Sequence, residues 1–360
     1  KAWRPLPRSA SRRSRIADLH LFADISSHGF GHLAITAPVL NAVAEICPDL
    51  RLTVRSGLPP DKLRQRIVPA FTHLAASSDF GYVMHDALHI DLAATAAAYR
   101  AAHARWPARV AAEAAFLEQL RPDAVLSNVS CLPLAGAARA GIPALAICSL
   151  NWADLFKHFF GHEDWAPPIH AEMLAAYRSA QAFIRITPAM AMSDLANTIR
   201  VGPVTRRGRR HDLGLNDAKA VLVALGGIAH QLPVAAWPRL PGIRWLVAGQ
   251  WRCAHPDAIA YEDFGLAFTD LLCSADAIVT KPGYGTFTEA AGNGVPVLYQ
   301  RRADWPEQDC LIAWLHDHAR CQEISGVDLA AGNLAAPLAS LWEQTPPPLP
   351  QADGARVAAE

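Results

Sequence analysis

The chain has 360 residues, of which 51% are hydrophobic and 18% are charged. This composition excludes a disordered chain, and the length predicts about two domains at roughly 150 residues each. Lys and Arg together number 33, as do Asp and Glu, so no overall charge attracts nucleic acid or an anionic membrane. We therefore expect no nucleic acid partner. Peripheral contact with a membrane is possible, but no feature of the sequence supports it.

The seven cysteines are scattered and include no C-x-x-C pair. Their odd number and their spacing argue against a disulfide framework and against a structural zinc site, and favour a reducing compartment. No apolar run reaches the roughly 18 residues that span a bilayer. The basic N-terminal stretch also lacks an apolar segment of signal-peptide length. We therefore expect a cytoplasmic protein.

The first motif in chain order is ISSHGFGHLAITAP at residues 25–38. An apolar run that closes at Ile25 predicts a buried strand, and apolar residues with helical spacing follow from Leu33. His28 and His32 therefore lie in a glycine-bearing turn between a strand and a helix. Open α/β sheets bind ligands at the carboxyl ends of their strands, so this turn is a candidate site.

Strand-like and helical segments alternate along the rest of the chain, which predicts parallel, doubly wound sheets. The first half contains RLTVRS, FTHLAA, DAVLSN, IPALAICSLNW and AFIRITP, and Pro107 interrupts a helical segment between residues 91 and 120. The turn-rich stretch VGPVTRRGRRHDLGL predicts a linker, after which come AVLVALGGIA, IRWLVAG, DAIVTKPG, VPVLYQ and CQEI. We therefore predict two Rossmann-like α/β domains, residues 1–203 and 204–345, that face each other across a cleft, and a disordered tail, residues 346–360.

The second motif, DAIVTKPGYGTFTEAAGNGVPVLYQRRADWPEQ, covers residues 276–308. Its pattern predicts a strand, a tight turn at Gly283 and Gly285, and a helix that begins near Thr286. The N–H groups and the dipole of such a helix start attract anions. Lys281 adds a positive charge, and the carboxylate of Glu289 suits a ribose diol. Spacing alone leaves two interpretations open, a phosphate loop or a tight strand-to-helix turn.

This second motif resembles the donor-binding signature of the GT-B glycosyltransferases, which include the UDP-glycosyltransferases and the MurG-like enzymes. The resemblance implies that Lys281 and Thr286 contact the donor diphosphate. It further implies that Glu289 holds the ribose and that the acidic–glutamine pair at residues 307–308 binds the donor sugar. Gly285 departs from the asparagine that is usual in the plant enzymes.

Three further segments agree with this resemblance. LGGIA at residues 225–229 is similar to the family's loop near the diphosphate, AGQW at residues 248–251 ends the strand where the nucleobase lies, and FTDLLCSADAIVTKPG resembles the segment that holds uracil. The donor-binding residues that the resemblance implies are Gly226, Gly227, Gln250, Phe268, Lys281, Gly283, Gly285, Thr286, Glu289, Glu307 and Gln308.

The same resemblance gives the first motif a role. The family has a Gly-His pair after its first strand, which Gly31-His32 matches, and in many members that histidine is the general base. A neutral imidazole can take the proton from an acceptor hydroxyl, although His32 could instead cap its helix or line the turn. The plant-type enzymes support the histidine with a carboxylate, whereas here the corresponding strand ends at Asn128. An asparagine could orient the imidazole but stabilises an imidazolium less than an aspartate.

Acceptor-binding residues follow less directly, because acceptor lobes vary in their loops. His28 could bind the acceptor, contact a phosphate or lie at the mouth of the cleft. Asn151 resembles an acceptor position of the MurG-like branch, and Trp152 could stack on the acceptor or pack in the core. Asp79, Asp86 and Asp91 belong to a segment that, together with HGFGH, resembles the GT-B-like region of the plant L-arabinokinases, and they are candidates for the acceptor lobe. For Asp91, helix capping is the alternative.

A metal site has little support in the sequence. His158 and His162 are one helical turn apart, which is a spacing that can bind a metal, but no third ligand is apparent. GT-B enzymes do not generally need a metal. We therefore expect no metal and no cofactor, with a UDP-sugar as the co-substrate.

Together these patterns predict an inverting, metal-independent glycosyltransferase. It would move a hexosyl or N-acetylhexosaminyl group from a UDP-sugar to a hydroxyl of a small-molecule, lipid or saccharide acceptor. Inversion is expected because attack and departure occur on opposite faces of the anomeric carbon. Two alternatives stay open, a nucleotide-sugar 2-epimerase of the same fold and a non-catalytic protein that binds sugar nucleotides. The missing carboxylate at Asn128 is the main argument for the second.

Overall fold

The computed structural model describes residues 18–227 and 230–360. The basic N-terminal stretch and the last two residues of the LGGIA loop lie outside this range. Within it, two sheets of strands are each covered by helices, and each sheet with its covering helices is called a lobe here. None of the helices described has the length and the apolar character needed to cross a membrane.

The first sheet is built from residues 20–201, and its elements alternate between strand and helix. Its strands are β1 (His20–Ile25), β2 (Arg51–Arg55), β3 (Phe71–Leu74), β4 (Ala124–Asn128), β5 (Ala144–Cys148), β6 (Ala182–Ile186) and β7 (Thr198–Val201). Its helices are α1 (Phe30–Ile46), α2 (Pro60–Arg66), α3 (Leu92–His103), α4 (Trp106–Leu120), α5 (Cys131–Ala140), α6 (Trp152–Phe160) and α7 (Ala166–Ser179). The strands pair in parallel in the order β3-β2-β1-β4-β5-β6-β7.

The second sheet is built from residues 219–323. Its strands are β8 (Lys219–Val223), β9 (Ile243–Val247), β10 (Ala258–Ala260), β11 (Ala277–Thr280), β12 (Val297–Tyr299) and β13 (Cys321–Glu323). The helices of this half are α8 (Phe268–Ser274), α9 (Tyr284–Gly292), α10 (Gln308–His318), α11 (Gly326–Ala331), α12 (Ala335–Glu343) and α13 (Gly354–Ala359). The strands pair in parallel in the order β10-β9-β8-β11-β12-β13.

Both sheets have the same winding. In each, the chain moves outward from a central first strand and then returns to that strand's other side, which leaves a switch point between β1 and β4 and another between β8 and β11. Ligands of open α/β sheets bind beyond the carboxyl ends of the strands at such points. The topology therefore places the turns after these four strands at the two expected binding positions.

The structure confirms every strand that the sequence predicts and adds two, β7 and β10. Both added strands lie at the edge of a sheet, are short and have partly exposed residues, so they need no continuous apolar run. Pro107 lies in the first turn of α4, after α3 has ended at His103, which confirms the predicted interruption. No helix or strand lies between Val201 and Lys219, where the linker is predicted.

The tail differs from its prediction. Residues 346–360, predicted to be disordered, include α13, which packs against α1 of the first lobe. Ala355 and Ala358 of this helix pack against buried apolar side chains. Gly354 approaches the carbonyl group of Gly202 so closely that a Cβ would collide with it. The proline-rich composition hides this helix, because its stability comes from contacts with the distant first lobe.

A buried ion network joins β1, β2 and α4 beneath the first sheet. Arg55 donates through Nε to Asp24 at 2.5 Å, and its two terminal nitrogens donate to the Glu113 carboxylate at 2.9 and 2.6 Å. The three side chains are only 10%, 2% and 6% exposed. The guanidinium also lies over the rings of Phe22 and Phe116. Two carboxylates and two aromatic rings therefore surround its charge.

Candidate active site

The candidate site lies where the N-terminal ends of α1 and α9 meet. These helices start after Gly29 and Gly283, so neither has a side-chain cap on its first N–H groups. A Cβ on Gly285 would lie 2.7 Å from the Cβ of Ala34 and 3.7 Å from the Cα of Gly31. The two helix ends are therefore in direct contact, and both direct the positive end of a helix dipole toward the same region.

His32 lies in the first turn of α1 and is 7% exposed. Gly29 is the N-cap residue, so the alternative that His32 caps the helix is wrong. The Nδ1 atom of His32 lies 2.7 Å from the Oδ1 of Asn128, at the end of β4. An amide oxygen can only accept a hydrogen bond, so Nδ1 carries the proton and Nε2 keeps its lone pair.

This pairing sets the state of the imidazole. Burial lowers the pKa of His32 to about 4, although the hydrogen bond with Asn128 acts in the opposite direction. His32 is therefore neutral at pH 7, and Nε2 is available to accept a proton. The structure thus brings together the two residues that the sequence nominates for catalysis, with Asn128 orienting the ring as expected.

His28 lies between aromatic residues of both lobes. Its ring stacks on Trp305 with 5.7 Å between centroids and meets the edge of Trp152 at 5.3 Å. Burial lowers the pKa of His28 well below its usual value, so the ring is uncharged. The residue as a whole is half-buried, and its three sequence-based alternatives stay predictions.

Trp152 is buried beneath the site. It is 2% exposed, and its Nε1 donates to Asp79 at 2.7 Å. Burial raises the pKa of Asp79 to about 6. A ring buried to this extent leaves no open face for a sugar, so Trp152 supports His28 and His32 by packing against them. The core interpretation of Trp152 is therefore the better one.

Asn151 has a structural task of its own. It is 0% exposed and caps α6, since its Oδ1 accepts the N–H of Asp154 at 2.7 Å. This bond leaves its Nδ2 without a partner among the described residues. The acceptor role of Asn151 stays a prediction, in which only Nδ2 could take part.

Asp86 closes a partly exposed loop of the first lobe. Its Oδ1 accepts the N–H groups of Leu88 and His89, at 2.7 and 3.0 Å, and His230 of the second lobe lies 3.8 Å away. Its acceptor role stays a prediction. Asp91, by contrast, caps α3 by accepting the N–H of Ala94, which confirms the alternative given for it.

Lys281 follows β11 and lies between two glycine turns. Its Nζ is 3.8 Å from the position of a Cβ on Gly226 and 3.7 Å from that of a Cβ on Gly283. Gly226 has a φ of +89°, which side chains rarely adopt. Burial, with Arg302 nearby, lowers the pKa of Lys281 to about 7. The structure thus groups Lys281 with both turns of the expected diphosphate site, and Thr286 lies on the same end of α9.

The contact between α1 and α9 explains why the motif has a glycine at position 285. We expect Gly285→Asn to lower the free energy of unfolding by about 1–3 kcal/mol, because its Cβ would overlap Ala34 and separate the helices. Urea unfolding measures the change. Gly283→Asn is the matched control, since a Cβ at Gly283 has ordinary contacts only. Equal stability of the two variants would contradict the close contact.

Glu289 is engaged by the other lobe. It is 2% exposed and forms a two-pronged salt bridge with Arg66, in which Nη2 and Oε2 are 3.2 Å apart and Nη1 pairs with Oε1. Arg66 is the last residue of α2. Binding of a ribose by Glu289 would therefore exchange or share this interaction, and the ribose role stays a prediction.

The acidic–glutamine pair is also engaged. Glu307 is 5% exposed and accepts from Ser149 Oγ at 2.5 Å and from Trp305 Nε1 at 3.1 Å. Gln308 binds the backbone N–H and carbonyl of Arg302, at 3.0 and 3.3 Å. Gln308 therefore shapes the loop after β12, and sugar binding by either residue stays a prediction.

The remaining donor candidates lie around the second sheet. Gln250 is exposed in the turn Gly249–Trp251, and Phe268 is half-buried at the start of α8. Gly227 approaches the first lobe, since a Cβ there would lie 2.6 Å from the ring of Phe30. The nucleobase contacts of Gln250 and Phe268 stay predictions, whereas Gly227 is a point of contact between the lobes.

The sequence did not single out Arg302 as a site residue. Arg302 is 6% exposed, and its guanidinium carbon lies 3.8 Å from the ring centroid of Trp305. Its charge contributes to the lowered pKa of Lys281, and Glu307 acts to raise the pKa of Arg302. The available signal was the Arg-Arg pair directly after a buried strand that ends at the cleft. That signal is weak, because consecutive basic residues are usually solvated.

His158 and His162 do not share a site. The Nε2 of His158 lies 3.0 Å from Asp304, and that of His162 lies 3.4 Å from Glu163, all with exposed side chains. In the described ranges, no group of three His, Cys, Asp or Glu side chains is arranged to hold a metal ion.

Comparison with known proteins gives one curated relative and many solved structures. No protein-family model matches the chain. An L-arabinokinase of Arabidopsis thaliana is 24% identical over 331 residues, which cover 86% of this chain. The chain spans only 30% of the length of that plant protein.

The structural matches cover nearly the whole chain. The calicheamicin glycosyltransferase CalG4 has a TM-score of 0.60 and 16% identity, over 95% of this chain and 92% of its own. The chain has the GT-B fold. UGT2 of Phytolacca americana, complexed with UDP-2-fluoroglucose and pterostilbene, has a TM-score of 0.58 and 12% identity over the same two shares. A putative UDP-N-acetylglucosamine 2-epimerase of Listeria monocytogenes has a TM-score of 0.57 and 13% identity, over 94% of each chain.

These matches confirm the predicted fold class, two Rossmann-like sheets in the GT-B arrangement. In GT-B terms, the first sheet with α1 forms the N-terminal lobe, and the second sheet with α9 forms the C-terminal lobe. The contact between α1 and α9 is then the contact between the lobes beside the cleft. Identities this low establish the fold and leave the activity to the chemistry of the site.

Proposed function

We propose that the chain is an inverting glycosyltransferase that moves a sugar from a UDP-sugar to an acceptor hydroxyl. The observation that carries the proposal is the neutral imidazole of His32. Asn128 holds its Nδ1–H, and its Nε2 keeps a lone pair at the N-lobe switch point. Lys281 and the uncapped end of α9 lie at the switch point of the other lobe. One lobe thus offers a base, and the other offers positive charge.

The proposed reaction divides between these groups. Nε2 of His32 takes the proton of the acceptor hydroxyl while its oxygen forms a bond to the anomeric carbon. The bond from that carbon to the diphosphate oxygen breaks on the opposite face, which inverts the centre. The charge that develops on the diphosphate is stabilised by the N–H groups of α9 and by Lys281. These groups supply the positive charge locally, so we propose a metal-independent reaction without a cofactor.

The donor class is proposed from the fold and the site together. The plant enzyme UGT2 binds UDP-2-fluoroglucose, and the match of Lys281, Thr286 and Glu289 to the donor signature supports a UDP-sugar here. A hexosyl or N-acetylhexosaminyl donor agrees with Glu307 and Gln308 in the sugar-binding positions. The proposed acceptor is a small molecule, a lipid or a saccharide.

Asn128 favours a second candidate function, binding of a sugar nucleotide without turnover. An asparagine cannot stabilise an imidazolium as a carboxylate does, and a pKa of about 4 makes His32 a weak base. Incubation with a UDP-sugar and a panel of acceptors distinguishes the two. Tight binding without release of UDP under any acceptor would favour the binding protein.

The third candidate function is that of a nucleotide-sugar 2-epimerase, since a putative enzyme of that kind shares the fold. Its distinguishing property is that it needs no acceptor. Product analysis after incubation with UDP-N-acetylglucosamine alone tests it. Formation of the epimer would replace the transferase proposal, whereas slow hydrolysis to UDP and free sugar supports it.

The first test is a calorimetric titration with UDP, GDP and dTDP, followed by a panel of UDP-sugars. We expect UDP to bind more tightly than the other two nucleotides. The tightest UDP-sugar then becomes the donor for acceptor screening. Absence of binding by every nucleotide would overturn the proposed function.

Donor binding should depend on pH through Lys281. Its pKa of about 7 means that the ammonium is charged below pH 7 and neutral above it. We expect the affinity for a UDP-sugar, whose diphosphate does not titrate here, to fall by up to about tenfold per pH unit above 7. Binding at alkaline pH should take up a proton, which calorimetry in buffers of different ionisation enthalpy detects. Lys281→Met should bind more weakly and show no such dependence, and a flat profile for the unmodified protein would contradict the role of Lys281.

A further inference from the structure

Among the arginines that the structure describes, Arg302 is distinguished by a side chain that is buried without a hydrogen-bond partner. It is 6% exposed, and its Nε and Nη2 form no hydrogen bond within the part of the chain that is described. Its neighbour Arg301 is more exposed and pairs with Asp309 and Glu323. Buried hydrogen-bond donors nearly always have a partner, so the unpartnered donors of Arg302 indicate that a bound group completes them.

The position of Arg302 is fixed by its surroundings. Gln308 binds both its backbone N–H and its carbonyl group, and its guanidinium carbon lies 3.8 Å over the ring centroid of Trp305. Trp305 in turn stacks on His28 of the other lobe. The cation is therefore held in the cleft, on the C-lobe side, by contacts that leave its hydrogen-bond donors unused.

The charges around Arg302 do not neutralise it. Glu307 attracts it, but the two oxygens of that carboxylate accept from Ser149 and Trp305. Lys281 is a second cation nearby, and Arg302 helps to lower its pKa. Burial lowers the pKa of Arg302 itself to about 10, with Glu307 and Asp86 opposing the change. Arg302 is buried and Lys281 is partly buried, and the carboxylates of Glu307 and Asp86 that attract Arg302 both accept hydrogen bonds from other groups. An anionic ligand would stabilise such an arrangement.

We propose that Arg302 and Lys281 together bind an oxyanion of the donor. Arg302 would then be a specificity-determining residue for an anionic group. The identity of the donor rests on the proposed function, whereas the anion site rests on Arg302 itself. A guanidinium presents its N–H groups as a planar fork that matches a phosphate or a carboxylate. The oxyanion is therefore either the diphosphate or the carboxylate of a uronic acid as the donor sugar.

The experiment measures dissociation constants by calorimetry for four probes: inorganic pyrophosphate, UDP, UDP-glucose and UDP-glucuronate. The variants are Arg302→Gln and Arg302→Met, with Arg301→Gln as the matched control. We expect the Arg302 variants to weaken binding of the relevant probes about ten- to hundredfold, and Arg301→Gln to bind like the unmodified protein. Loss for all four probes identifies the diphosphate, and loss for UDP-glucuronate alone identifies a uronate carboxylate.

Stability separates this role from a structural one. Removal of an unpartnered buried charge should not destabilise the fold, so we expect Arg302→Met to unfold at or above the denaturant midpoint of the unmodified protein while binding anions more weakly. A folded Arg302 variant that binds all four probes within twofold of the unmodified protein would overturn the inference. If the unmodified protein binds pyrophosphate but no nucleotide, the proposed function is wrong, and the effect of the Arg302 variants on pyrophosphate binding still decides the inference. If the unmodified protein binds none of the four probes, both the proposed function and the inference about Arg302 are wrong.

Discussion

Replacing His32 with alanine is expected to lower turnover by about 10²- to 10⁴-fold, the usual contribution of a general base. The affinity for the UDP-sugar should stay within about twofold, because His32 lies on the N-terminal lobe and the proposed donor residues lie on the C-terminal lobe. The physical reason is the loss of Nε2, which is the atom that the bond between Nδ1 and Asn128 leaves available. Initial rates and calorimetric dissociation constants with the same UDP-sugar measure the two effects separately.

His162→Ala is the control for this variant, since His162 is exposed and pairs with a nearby glutamate on the surface. It should retain full activity. Where no acceptor has been found, the rate of donor hydrolysis replaces the rate of transfer, because water must lose a proton in the same way. A His32→Ala variant that retains at least a third of the activity would remove the general-base role.

Replacing Arg55 with methionine is expected to lower the free energy of unfolding by about 3–5 kcal/mol, the cost of breaking a buried ion pair on one side. The substitution leaves the carboxylates of Asp24 and Glu113 without their cation, although both are almost fully buried. Methionine has a similar stem, so the loss comes from the charge more than from a cavity. Urea unfolding, with the midpoint and the slope determined together, measures the change.

Arg51→Met is the matched control, because Arg51 begins the same strand but is exposed. We expect it to change the free energy of unfolding by less than about 0.5 kcal/mol. A similarly small change in the free energy of unfolding of Arg55→Met would show that water solvates the two carboxylates, or that one of them takes up a proton, when the guanidinium is removed. That result would contradict the network as an important support of β1, which leads into the turn with His28 and His32.

The amino-acid sequence determined the element order and the position of the candidate site. Apolar runs and helical spacing are local patterns, so they predicted the strands of both sheets, except for the short edge strands β7 and β10. Parallel strands end at one edge of a sheet, so the same patterns placed His32 and Lys281 at the carboxyl ends of β1 and β11. The pairing of His32 with Asn128 was expected from the family resemblance, and it forms because β1 and β4 are neighbours in the sheet.

Only the tertiary structure decided which groups at the site are engaged and which are not. Arg66 and Glu289 are 223 positions apart, and Ser149 and Glu307 are 158 positions apart. No local pattern relates such residues, because their contacts depend on how the two lobes meet. The same holds for the glycine at position 285, which the neighbouring helix α1 requires, and for the docking of α13. Nothing in the sequence distinguishes Arg302 from an ordinary basic residue. Its distinguishing property is that its side chain is buried without a hydrogen-bond partner. Burial and partnering depend on the whole packed chain, and for this reason the sequence located the site and the fold determined its chemistry.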